Sequence, residues 1–77
     1  MIELNKFIEN FAAQMDNTSV SDLKPDSKFR DLSEWSSLVA LGIIAMVDEE
    51  YGVAIKGKDI REAETIEDLF NVVKSLK

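Results

Sequence analysis

Apolar side chains recur along this chain at helical spacing, and the first such run is Leu4, Ile8, Phe11 and Met15, widened by Phe7 and Ala12. Glu3, Lys6, Glu9, Asn10 and Gln14 take the other side. A stripe of that period predicts an amphipathic helix over Ile2 to Met15. The polar run Asp16-Asn17-Thr18-Ser19 offers side chains that compete for backbone hydrogen bonds and predicts its end. From Asp16 to Ser36 no helical period is sustained, and a connection this long in a small domain is expected to have a function. Val20, Leu23, Phe29, Leu32 and Trp35 punctuate it, so the expectation is a loop pinned across a helical bundle, with Trp35 as a packing anchor. Pro25 fixes its own backbone and turns Lys24 away from helix, leaving room for one short turn over Val20 to Leu23.

The second helix is predicted over Ser37 to Tyr51, closed by Gly52, which tolerates the positive φ common just past a helix. On a wheel, Ala40, Leu41, Ile44, Val47 and Tyr51 form one face with Ile43 at its margin, while Val39, Gly42, Met46 and Glu49 fall opposite. Three uncharged residues on the outer face have two readings: an interaction surface, or a helix buried more completely than the wheel implies. Asp59 to Ala63 is long enough for a short third helix. Thr65 with Asp68 three positions on resembles a capping box, and Ile66, Leu69, Phe70, Val73 and Leu76 continue a fourth helix. No alternation suggests strands. The pattern predicts an all-α protein, a small four-helix bundle forming a single domain over residues 1–77, with a long first loop and a short third helix. Phe11, Phe29, Leu41, Ile44, Val47 and Phe70 are its expected core.

Seventy-seven residues allow only one small core. The net charge of -6 disfavours nucleic acid, whose recognition rests on Lys and Arg against phosphate, and favours basic protein surfaces. Without cysteine or histidine the chain lacks thiolate nucleophiles, disulfides, the commonest transition-metal ligand and the usual base for a serine nucleophile. No run reaches membrane-spanning length and no segment reads as a secretory leader, so the expectation is a soluble, cytoplasmic monomer. The acid pairs Asp48 with Glu49 and Glu62 with Glu64 lack converging partners and read as solvated faces; no metal site and no catalytic residue is expected.

Ser37 stands where the polar loop turns into the apolar second helix. A hydroxyl there lies beside unpaired N–H groups and the positive end of the helix dipole, a setting that suits a phosphate ester, although local chemistry alone favours a helix cap; Ser36 and Ser37 can divide those duties. The wider pattern resembles the acyl carrier protein family, whose modified serine opens the second helix in an Asp-Ser-Leu triplet. The triplet here is Ser36-Ser37-Leu38, with Ser36 where that family usually has aspartate. The likeness continues upstream through Leu23-Lys24-Pro25-Asp26-Ser27-Lys28-Phe29-Arg30-Asp31-Leu32 and downstream through Asp48-Glu49-Glu50-Tyr51-Gly52-Val53 to Thr65-Ile66-Glu67-Asp68-Leu69.

The resemblance implies that Ser37 carries 4'-phosphopantetheine, added from coenzyme A by a magnesium-dependent phosphopantetheinyl transferase. Acyl groups would then ride as thioesters between acyl-loading and acyl-processing enzymes of fatty acid, polyketide or a related specialised pathway, with Leu38, Leu41 and Ile44 near an interior that family members can open for the chain. Leu38, Val39, Gly42, Met46, Asp48 and Glu49 are the expected partner-binding residues, suited to partners with basic or apolar docking patches. Two other readings stand beside it: an unmodified helical interaction module, for which Ser36 in place of aspartate speaks, and an aminoacyl or peptidyl carrier.

Overall fold

The computed structural model describes residues 3–77, and Ile2 of the expected first helix lies outside them. Four helices follow in order: α1 (Leu4–Ala12), α2 (Ser37–Tyr51), α3 (Gly57–Glu62) and α4 (Ile66–Leu76). Two single 3₁₀ turns, Val20–Asp22 and Phe29–Asp31, interrupt the long loop, and no strand occurs among the described residues beyond one isolated bridge between Lys28 and Thr65. The all-α bundle expected from periodicity is the fold.

Helix α1 stops at Ala12, three residues short of the expected end. The Gln14 N–H donates to the Phe11 carbonyl and the Met15 N–H to the Ala12 carbonyl, so the last turn tightens to 3₁₀ spacing. Met15 stays buried all the same. Helix α3 begins at Gly57, two residues before the expected Asp59, because the Asp59 carboxylate accepts the Lys56 N–H at 2.9 Å and closes a turn from below. The capping box of α4 is present: Thr65 Oγ1 accepts the Asp68 N–H at 3.0 Å, and Asp68 Oδ2 accepts the N–H groups of Thr65 and Glu64, each at 3.1 Å. Those bonds pull the Asp68 carboxyl below its ordinary value, the backbone N–H of Thr65 contributing most.

The long loop is docked on α4. The Pro25 carbonyl accepts the Glu67 N–H at 2.9 Å and the Ser27 carbonyl accepts the Ile66 N–H at 3.1 Å. Ile66 and Glu67 open α4, where backbone N–H groups have no partner within the helix, so the loop satisfies donors the helix cannot. Leu23 and Phe29 are buried and Leu32 and Trp35 pack at the core margin, as expected of anchors, whereas Val20 is exposed.

The core joins Phe7 and Phe11 of α1 to Ile43 and Val47 of α2 and to Ile66, Leu69 and Val73 of α4, with Phe29 from the loop, all of them fully buried. Aromatic rings run through it: Phe7 meets Phe70 edge-on at 5.6 Å between centroids and Tyr51 at 5.9 Å, and Phe11 meets Phe29 at 5.8 Å. Phe11, Phe29, Val47 and Phe70 are buried as the sequence predicts.

Two other expected core residues and the outer face of α2 need correction. Leu41 is 61% exposed and Ile44 only half-buried, while Met46, expected outside, is 5% exposed. Val39 packs against the core from its margin. Gly42 faces the turn that follows α1, where an added Cβ would lie 3.3 Å from Gln14 Oε1. The buried arc is therefore centred near Ile43, roughly 70° round the helix from the expected face at ~100° per residue. The cause is composition: α2 is apolar nearly all round, so two stripes compete, and the tertiary contacts with α1 and α3 decide between them.

Candidate functional site

The two serines at the start of α2 divide two tasks. Ser36 is extended (φ −157, ψ 172), its carbonyl accepts the Ala40 N–H at 3.0 Å, and its Oγ accepts the Val39 N–H at 3.3 Å. It is the cap. Ser37 is the first helical residue and exposed, leaving its hydroxyl free of that duty. The first turn of α2 carries no acidic residue, so the positive end of the dipole is not offset there. Such a start suits an anion borne on the Ser37 hydroxyl.

Two side chains just upstream hold this helix start in place. Trp35 stacks on Phe11 with ring planes 9° apart and centroids 6.3 Å apart, and tilts against Phe29 at 4.8 Å. The backbone N–H of Trp35 donates to the Leu32 carbonyl at 3.0 Å. Trp35 is thus the packing anchor the sequence suggests. Glu34 reaches the other way: its carboxylate accepts the Asp16 N–H at 3.1 Å, the Asn17 N–H at 2.9 Å from both oxygens, and the Thr18 hydroxyl. The Thr18 hydroxyl, then the Asn17 N–H, hold its carboxyl below the ordinary value and outweigh the opposing effect of desolvation. Nothing local marks Glu34 in the sequence, because its partners lie 16 to 18 residues away. Between these segments and α2 lies a shallow cleft of about 300 Å³ lined by Gln14, Met15, Asp16, Glu34, Ser36, Leu38 and Val39.

Of the expected partner-facing residues, Leu38, Asp48 and Glu49 share the solvent side of α2; Val39, Gly42 and Met46 do not. Leu41 and Ala45 join the exposed set, making a stripe of Leu38, Leu41 and Ala45 that runs from the serine toward the acids. Leu38 is 78% exposed. The three-to-four-residue spacing of that stripe was visible in the sequence, but so was that of its buried rival.

No group of three or more His, Cys, Asp and Glu side chains placed to hold a metal ion occurs among the described residues, and no helix there is long and apolar enough to cross a membrane. A hydroxyl without a base beside it is poorly equipped as a nucleophile on its own and well placed as a point of attachment. A protein-family model described as a phosphopantetheine attachment site matches residues 6–73, nearly the whole chain. Bundle, helix start and family match agree: the chain belongs to the phosphopantetheine attachment site family, a carrier domain to which 4'-phosphopantetheine is covalently joined.

Proposed function

We propose that Ser37 is the attachment residue and that the chain is an acyl carrier protein, holding acyl intermediates as thioesters for partner enzymes of fatty acid, polyketide or a related specialised pathway. The observation that carries this reading is the division at the helix start: Ser36 is occupied as the cap and Ser37 presents an exposed hydroxyl one residue further on. In the loading step the Ser37 oxygen bonds to the phosphorus nearest the pantetheine half of coenzyme A. The bond from that phosphorus to the bridging pyrophosphate oxygen breaks, adenosine 3',5'-bisphosphate leaves, and the serine proton passes to a base of the transferase. The chain has no histidine to take it. Once attached, the arm supplies the thiol, and the chain's own residues hold its root and present it.

The phosphodiester left on Ser37 would sit at an uncompensated helix N-terminus, where an anion gains about 0.3–1 kcal/mol from the dipole at an exposed site. Glu34 does not compete for that position, because its carboxylate is turned to residues 16–18. Partner recognition falls to the stripe of Leu38, Leu41 and Ala45 with Asp48 and Glu49 beyond it, which suits an apolar docking patch ringed by basic side chains: burial would hold the complex and charge would steer it. Met46 is withdrawn from that set because it is buried.

Incubation with coenzyme A, magnesium and a broad-specificity transferase, followed by intact mass and peptide mapping, tests the reading. The expected product carries one phosphopantetheinyl group on Ser37, with none on Ser36 and none on Ser37→Ala. A folded Ser37→Ala protein that labels as well as wild type refutes the assignment, and a wild-type chain that is never labelled favours the unmodified interaction module.

A further inference from the structure

Helix α2 begins with little of its own to hold it: Ser37 and Leu38 are exposed and the single side-chain cap bond, from the Val39 N–H to Ser36 Oγ, is 3.3 Å long. First turns in that condition fray readily. The chain before it is anchored twice in consecutive residues, by Trp35 wedged between Phe11 and Phe29 and by Glu34 bound to the segment that leaves α1. These anchors pull in different directions, one into the core and one across the surface, so together they fix both the position and the tilt of the helix start.

We infer that Glu34 is a positioning residue for modification at Ser37: by gathering the N–H groups of Asp16 and Asn17 and the hydroxyl of Thr18, it holds the first turn of α2 in the geometry a transferase must meet. The inference rests on the reading of Ser37 as the attachment residue. Glu34 touches neither Ser37 nor any reacting atom; it acts through Trp35 and Ser36. Its hydrogen-bonded state keeps the carboxylate charged, which strengthens each of these bonds. Asp16 and Asn17 are exposed, so water can satisfy their N–H groups when the carboxylate is removed, and loss of the clamp should loosen the helix start without unfolding the domain.

The test compares wild type with Glu34→Gln, which keeps the shape and one acceptor, Glu34→Ala, which keeps neither, and Thr18→Val, which removes one donor. Two measurements are made: amide hydrogen exchange on the unmodified proteins, and kcat and KM for modification by the same transferase with coenzyme A. Expected is faster exchange at Asp16, Asn17, Leu38 and Val39 in the order Ala, Gln, wild type, with Thr18→Val between wild type and Gln. The urea midpoint should stay close to wild type, while kcat/KM falls about tenfold for Glu34→Gln, a modest misplacement penalty, chiefly in kcat because the exposed stripe further along α2 is untouched. Unchanged exchange in the first turn of α2, or a kcat/KM within about twofold of wild type, overturns the inference. If Glu34→Ala does not fold, Glu34→Gln decides. Persistent modification of Ser37→Ala strikes the reading of Ser37 instead, and the exchange data, which need no transferase, then judge the clamp alone.

Discussion

The rotation of α2 is open to a direct comparison of two substitutions of the same kind, Met46→Glu and Leu41→Glu. Met46 is 5% exposed and belongs to the core cluster; Leu41 is 61% exposed. Removing the buried methionine forfeits about 1.5–3 kcal/mol of apolar burial. The new carboxyl must then stay charged in the core or be held neutral at pH 7, and protonating a glutamic acid of ordinary pKa ~4.3 costs about 3.7 kcal/mol at ~1.4 kcal/mol per unit. The sum, about 5 kcal/mol or more, is of the order of the whole stability of a 77-residue domain, about 4–12 kcal/mol. Leu41→Glu should change stability by no more than about 0.5 kcal/mol. Urea unfolding followed by far-UV circular dichroism reads both. Acidification adds a second signature: the introduced carboxyl of Met46→Glu has a raised folded-state pKa, so its penalty is greatest above that pKa and shrinks as pH falls toward 5, whereas Leu41→Glu shows no such rescue. A stable Met46→Glu beside an unfolded Leu41→Glu would refute the placement of the core on the Ile43 side.

Leu41→Glu, left folded, should slow acyl transfer to a partner enzyme in proportion to loss of the apolar stripe, and an unchanged transfer rate would remove Leu41 from the docking surface. Gly52→Ala, which finds open space but must keep φ 66, should cost about 1 kcal/mol, seen as a fall in melting temperature of about 4–8 °C; a smaller shift would mean that α2 ends differently. Glu34 and Asp68 have folded-state pKa values below their unfolded ones, so the stability they confer is present above the ordinary carboxylate range and is lost as pH falls through the folded values. Glu34→Gln and Asp68→Asn should each flatten the dependence of melting temperature on pH below about 4, and an unaltered slope would count against the hydrogen bonds described.

What the sequence shows well is whatever is local. The limits of α2, the left-handed Gly52 and the reciprocal cap of Thr65 and Asp68 each depend on residues within four positions of one another, and the structure has them where the pattern puts them. The contacts that escaped it are long-range. Nothing in Pro25 or Ser27 says that their carbonyls will meet the first N–H groups of α4, and nothing in Glu34 says that it will find residues 16–18. The rotation of α2 failed for a different reason. Periodicity locates a buried face only when the other face is polar, and here Leu38, Leu41 and Ala45 repeat the signal of Ile43, Met46 and Val47 one stripe over. Ser37, the residue proposed for attachment, stands out in the sequence because it lies on the polar-to-apolar boundary itself.

The charges of α2 run against its dipole at both ends. Its first turn lacks an acid, where one would help, and Asp48, Glu49 and Glu50 crowd the last turn, where each opposes the negative end by about 0.3–1 kcal/mol at an exposed site. Lys77, whose ammonium donates to the Tyr51 carbonyl at 2.9 Å, offsets the far end in part. A helix that depended on its own propensity would be ill served by this arrangement. Burial of Ile43, Met46, Val47 and Tyr51 outweighs it, since each large apolar side chain removed from water contributes about 1.5–3 kcal/mol. The core therefore frees both termini from the usual electrostatic pattern: the first turn is left open to an added phosphate, and the last carries negative charge outward to where a basic partner could meet it.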